Sequence, residues 1–167
     1  MTNLGFRLLS ALGFLGCLGA MLFALYLQHY KGFEPCPMCI FQRIAMSSAG
    51  LMFLIGALVG PRSVGGRWVW AALPALGALA GSGISARQVW LQHLPADQVP
   101  ACGPTLDYLM KMMPWQNVVA YVLKGEGSCA KIDAQWLGIA LPEWTLFGFI
   151  ALALFALAMP LAARKTA

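Results

Sequence analysis

An all-α membrane protein, a bundle of about four transmembrane helices, is what this chain of 167 residues predicts. Three observations carry the prediction. The chain is 60% hydrophobic. Only 10% of it is charged, whereas a soluble domain carries about a quarter, so there are too few charges to coat a water-facing sphere. The apolar residues also gather into four runs near residues 8–30, 40–59, 68–86 and 144–161, each close to the roughly 20 residues a helix needs to cross a bilayer. The length suits one membrane domain, 1–167.

The first run follows Arg7. A basic residue before an apolar stretch also suits a cleaved signal peptide, and Gly16-Cys17 suits a lipoprotein signal. The run continues past Cys17 to Leu27 without a polar break, which favours a retained helix with Cys17 as a small packing residue. The second run carries Arg43 in its first turns, and the third carries Pro74, which admits a kink. Residues 31–39 and 60–67 form short connections, the latter broken by Pro61 and Gly65-Gly66. Residues 88–143 form a long one. Within it, apolar residues recur over 106–123, which predicts one or two short helices in the interface plane, broken near Pro114.

Orientation follows from the basic residues of short flanks. Arg7, Arg62, Arg67, Arg164 and Lys165 fall on one side, while Glu34, Asp97, Asp107, Glu126, Asp133 and Glu143 fall on the other. Both termini are thus expected in the cytoplasm and both cysteine-bearing loops outside. Trp68 and Trp70 mark one interface; Trp90, Trp136 and Trp144 mark the other. The net charge of +5 is scattered beside apolar runs. It reads as a topology signal and argues against a nucleic-acid partner.

Four cysteines besides Cys17 lie in the outer loops, Cys36 with Cys39 and Cys102 with Cys129. An oxidising compartment lets disulfides persist there. A Cys-x-x-Cys pair closes too small a loop to stabilise a fold much, so reactivity is the stronger reason for Cys36-Pro37-Met38-Cys39. The pair precedes a helix whose positive end favours thiolate, the attacking species. If that helix begins near the motif, Arg43 shares a face with Cys36 and Cys39. Arg43 there either lowers a thiolate pKa, holds an acceptor oxygen of a ligand, or snorkels to the headgroups. Arg87 has similar depth but no cysteine neighbour, so snorkelling suits it better. Cys102 and Cys129 read either as a structural disulfide or as the outer half of a relay, since exchange passes through mixed disulfides one sulfur at a time. Metal is the competing chemistry: four cysteines can bind zinc, and Met38, Met110, Met112 and Met113 would suit copper(I). The wide separation of Cys102 and Cys129, the oxidising side and the ordinariness of methionine in apolar chains weigh against it, and no metal is expected.

The run Glu34-Pro35-Cys36-Pro37-Met38-Cys39-Ile40-Phe41-Gln42-Arg43 resembles the signature of the bacterial disulfide bond formation protein B (DsbB) family. Pro100-Ala101-Cys102-Gly103-Pro104 and Gly125-Glu126-Gly127-Ser128-Cys129-Ala130 resemble its loop cysteines, and Leu137-Gly138-Ile139-Ala140-Leu141-Pro142-Glu143-Trp144 its entry into the last helix. The resemblance covers nearly the whole chain; the segment from Ile132 to Trp136 departs from the pattern. It implies a four-helix bundle in the bacterial inner membrane with a long periplasmic loop. It implies an enzyme, a protein-dithiol:quinone oxidoreductase that reoxidises a periplasmic DsbA-type thiol oxidase and reduces a membrane quinone, ubiquinone or, anaerobically, menaquinone. By the same resemblance, Cys102 forms the mixed disulfide with the partner, Cys129 resolves it, Cys36 exchanges with the loop pair, Cys39 faces the quinone and Arg43 lies beside its ring. A histidine of the family near that ring has no clear counterpart: His93 is close in sequence, Gln88 at least as near, and neither is counted in the site; His29 is expected at the interface. The alternatives are a non-catalytic membrane protein with a structural loop disulfide, or a quinone-linked four-helix thiol oxidoreductase of the vitamin K epoxide reductase type. The order of the cysteines, Cys-x-x-Cys before the loop pair, favours DsbB.

Overall fold

The computed structural model describes residues 3–95, 97–131 and 135–165. Of the residues named above, Ile132, Asp133 and Ala134 lie outside these, as do the side chains of Arg164 and Lys165. Among the described residues, four helices are long and apolar enough to cross a membrane: α1 (Asn3–Lys31), α2 (Pro37–Val59), α3 (Val64–Gln92) and α7 (Leu141–Lys165). Three short helices lie between α3 and α7: α4 (Leu106–Met112), α5 (Trp115–Lys124) and α6 (Gly127–Ala130). A two-stranded antiparallel hairpin, β1 (Gln135–Trp136) and β2 (Ile139–Ala140), leads into α7, with Gln135 opposite Ala140.

The long helices overrun the expected spans, and local chemistry explains where they start. Cys36 is the N-cap of α2 and Pro37 its first residue, a position where a missing N–H and a fixed φ cost nothing. The helix therefore begins three residues before position 40, and Cys39 lies within its first turn. Ser63 caps α3 through a bond from Gly66 N to its Oγ, 3.0 Å long, so α3 starts at Val64. It continues beyond 86 to Gln92 because polar groups of its last turns, Arg87 and Gln88, find partners within the protein. The connection expected over 88–143 accordingly spans 93–140. At its far end, Glu143 Oε2 accepts a 2.8 Å bond from Ala140 N and settles the start of α7.

Among the described residues, three buried clusters hold the molecule together; the smallest joins Ala45, Ala78, Phe149 and Ala153 of α2, α3 and α7, and the other two are larger. Across the bundle, Phe6, Cys17, Ala49, Phe53, Ala71, Ala75, Ala156 and Met159 pack as one buried group. Cys17 is buried against Gly50, as expected of a small packing residue. The exposed leucines of α1, among them Leu8, Leu12, Leu15 and Leu22, form an apolar outer face, which lipid rather than water suits. The second core is at the cysteine end. Met38 from α2 and Leu91 from α3 meet Leu109 of α4, Val118 and Val122 of α5, and Cys129 of α6. The two short helices expected over 106–123 are present, broken at Met113 and Pro114. Val118 and Val122, one turn apart, turn inward, while Met110, Met112 and Trp115 are exposed.

Candidate functional site: a thiol cluster above an apolar cavity

Met38 is fully buried, and its insertion into the second core fixes the orientation of the cysteines on either side of it. Cys36 and Cys39 bring their sulfurs to 2.8 Å, and Cys39 N donates to Cys36 Sγ at 3.3 Å. All five cysteines are free thiols.

Cys129 arrives from the far side of the second core. Gly125, at φ 87°, ends α5 in a conformation that side chains disfavour. Gly127 lies directly on the preceding cysteine segment. Its N–H donates to Ala101 O at 3.1 Å, and a Cβ there would meet Pro100 O at 2.5 Å. The two loop cysteines are thus carried on adjoining pieces of backbone. They differ sharply in setting: Cys102 is exposed, whereas Cys129 is buried and hydrogen-bonds through its side chain to Cys36.

That bond polarises the pair. The Cys36 thiol is pushed well above the usual thiol range, first by its hydrogen bonds to Cys129 and Cys39 and then by burial. Cys129 is lowered to about 7, mainly by accepting from Cys36 and further by backbone N–H groups, against the opposing effect of burial. Cys129 is therefore the better nucleophile, and Cys36 the sulfur beside it.

Helical register with Arg43 holds for Cys39 but not for Cys36. As an N-cap, Cys36 is extended (φ −65°, ψ 162°), so helical periodicity does not reach it, and it faces Cys129. Cys39 and Arg43 line a cavity of about 300 Å³ between α1, α2 and α7. Its walls are mainly apolar, with Phe23, Leu27, Met46 and Phe149 among them. Arg43 donates to Gln28 Oε1 and, at 3.3 Å, to Ala24 O, which holds it against α1 at the cavity wall. An apolar slot with one thiol and one guanidinium suits a flat, lipid-soluble ligand with an acceptor oxygen.

Arg87 serves elsewhere. It donates to Lys124 O at 2.9 Å and Leu123 O at 3.4 Å, capping the C-terminus of α5, and stacks 4.1 Å above Trp90. His93 is at the surface, its Nδ1 2.8 Å from Val89 O. His29, in the last turn of α1, is exposed.

Sequence reading left two glutamines outside the site, Gln42 quoted only within the signature and Gln88 weighed only against the family's histidine. Gln88 Nε2 is 3.4 Å from Cys36 Sγ and 3.6 Å from Cys39 Sγ, and Gln42 Nε2 donates to Gln88 Oε1 at 2.8 Å. Both are buried. The available signal was an amide at each end of an apolar span, where an unpaired polar group is costly.

The profile described as "Disulfide bond formation protein DsbB" matches residues 6–159. "Disulfide bond formation protein B" of Xanthomonas campestris pv. campestris (strain 8004) is 47% identical over 153 residues, 92% of this chain and 89% of the relative. The protein of that name from Acinetobacter baumannii (strain ATCC 17978) is 47% identical over 155 residues, covering 93% and 91%. The one from Stutzerimonas stutzeri (strain A1501) is 44% identical over 151 residues, covering 90% and 92%.

Proposed function

The chain belongs to the disulfide bond formation protein B family, and from that membership, which carries disulfide-generating oxidoreductase chemistry in a multi-pass bacterial membrane protein, we propose that it reoxidises a periplasmic DsbA-type dithiol oxidase and delivers the electrons to a membrane quinone. The observation that carries this reading is the continuity of the thiols. Exposed Cys102 adjoins the Cys129 segment, Cys129 bonds to Cys36, Cys36 contacts Cys39, and Cys39 lines the apolar cavity.

In the working cycle the two cysteine pairs begin as disulfides. A partner thiolate attacks Cys102 and displaces the Cys129 thiolate. The partner's second thiolate, in place of the Cys129 expected from the family resemblance, then attacks its own mixed-disulfide sulfur, releasing Cys102 and leaving the partner oxidised, because attack by Cys129 would only restore the starting loop disulfide. Cys129, whose sulfur lies against Cys36, attacks Cys36 and displaces Cys39. Cys102 closes on Cys129 and displaces Cys36. The loop disulfide is restored, and two electrons rest on the Cys36–Cys39 pair. Each exchange is thiolate on disulfide with one sulfur leaving.

Arg43, with Cys39, would hold the acceptor, its N–H groups directed at a carbonyl oxygen. Bound quinone, ubiquinone or anaerobically menaquinone, supplies the two-electron, two-proton acceptor that returns the pair to disulfide. DsbA-type oxidases have potentials near about −120 mV, too oxidising for glutathione to regenerate, which is the energetic reason for such an acceptor. We place the protein in the inner membrane with both termini cytoplasmic.

The test is turnover of purified protein with reduced dithiol partner and quinone. Loss of quinone absorbance is expected, abolished by Cys39→Ser and by Cys36→Ser; unchanged turnover in both variants overturns the proposal. For Arg43→Ala, loss of a charged hydrogen bond, about 1.5–3 kcal/mol, predicts a KM for quinone raised roughly ten- to hundredfold with thiol exchange between the cysteine pairs intact. An unchanged KM removes Arg43 from the quinone site.

A further inference from the structure

Gln88 is 3% exposed, inside the last turns of α3, and its amide lies against both sulfurs of the Cys36–Cys39 pair. A primary amide has a donor end and an acceptor end, and only its hydrogen-bond network tells which faces a neighbour. Gln42 Nε2 donates to Gln88 Oε1 at 2.8 Å. Gln42 is itself 6% exposed and sits on α2 next to Arg43. The same Gln88 oxygen lies 3.9 Å from Cys39 Sγ, which donates to it as a thiol, but the NH2 group lies closer to both sulfurs, at 3.4 and 3.6 Å, and is the end a thiolate engages.

A donor aimed at sulfur does not treat the two redox states alike. A thiolate carries full negative charge and accepts strongly, because hydrogen bonds to charged acceptors are roughly twice as strong as neutral ones. A disulfide sulfur accepts weakly. Burial widens the difference by lowering the local dielectric. The amide adds no charge of its own to the apolar end of the span, as a lysine or arginine would. A carboxylate in its place would present only acceptors and repel the thiolate.

We propose that Gln88, oriented by Gln42, is a positioning residue that favours the reduced form of the Cys36–Cys39 pair and so makes its disulfide the stronger oxidant of the loop cysteines. The inference rests on the redox reading of the pair given above, but its test needs neither quinone nor partner.

The measurement is the equilibrium between the Cys36–Cys39 disulfide and dithiothreitol, in full-length protein carrying Cys102→Ser and Cys129→Ser so that one pair reports. Two electrons and two protons pass from dithiothreitol to the pair, which becomes a dithiol as dithiothreitol closes to its cyclic disulfide. Gln88→Met keeps the volume and removes the donor. Gln88→Glu keeps the shape and reverses the polarity. Each is expected to lower the equilibrium constant for reduction about tenfold, equivalent to about 30 mV for a two-electron couple. For Gln88→Glu the deficit grows with pH as the carboxyl ionises, which a merely structural role would not produce. Gln42→Met leaves Gln88 free to turn and should lower the constant two- to threefold. Constants within twofold of the parent in both Gln88 variants, with unfolding midpoints retained, overturn the proposal. If the Gln88 variants do not fold, an unchanged constant in Gln42→Met overturns it. A parent chain that does not exchange with dithiothreitol at all would instead sink the redox reading itself.

Discussion

Cys129 and Cys36 show how much a single contact decides. By type they are equivalent thiols, with an ordinary value near about 8.5. Their mutual hydrogen bond separates them, lowering Cys129 to about 7 and pushing Cys36 the opposite way. The sign of the pH response follows. Cys129 should be half thiolate near pH 7, so its alkylation by iodoacetamide should rise between pH 6 and 8 and then level, while Cys36 stays slow over that range. Removing the main cause with Cys36→Ala should move the Cys129 midpoint up toward the ordinary thiol range. Site-resolved mass spectrometry reads both. A Cys129 midpoint already near 9 in the parent would mean that the polarised pair does not exist in solution.

Among the elements, the packing of α3 on α7 holds the frame that the site is built on. Ala71, Ala75, Ala78, Gly81 and Ser85 recur every three or four residues and are buried, so α3 offers a narrow face on which another helix can approach closely. Phe149 of α7 fills the notch at Gly81, where a Cβ would come within 2.7 Å of its Cδ1 and closer still to the ring edge. Gly83, two residues on, has open space around it. The same substitution should therefore act with opposite signs. Gly81→Ala should destabilise by about 1–3 kcal/mol through overpacking. Gly83→Ala should be neutral or stabilise by up to about 1 kcal/mol through helix propensity. Unfolding of the two variants in detergent compares them; equal midpoints would show that α7 is not seated on Gly81.

At the scale of the whole molecule, the charge asymmetry and the two larger cores define opposite ends. Arg7 and Arg67 lie at the end away from the cysteines, and both brace the structure. Arg7 Nε donates to Ala57 O at 2.8 Å. Arg67 is buried and donates to Ala163 O and Pro61 O. A residue counted as a topology signal can thus also tie helices together. If the basic end is cytoplasmic, a membrane-impermeant maleimide should label Cys102 in intact spheroplasts once an impermeant reductant has opened its disulfide. In a Cys102→Ser background, a cysteine introduced by Arg62→Cys should react only after permeabilisation. The reverse pattern would invert the topology.

The sequence by itself determined the four spans, the two short helices broken at Pro114, and the family, because each is written in local composition, a turn signal or an ordered motif. Legibility declined with distance along the chain. Helix ends were misjudged by several residues because polar side chains such as Gln88 and Arg87 look like a span's end until partners from α2, α5 and the cysteines satisfy them. The register of Cys36 with Arg43 assumed a helical residue, and the structure made it an N-cap turned toward Cys129. Only the tertiary structure decided which sulfur meets which, that Gln42 orients Gln88, and that Cys39 and Arg43 share one cavity wall. The physical reason is range. Burial and helix formation follow from periodicities a few residues long, whereas a thiol's neighbours are fixed by packing among segments far apart in the chain, through buried anchors such as Met38.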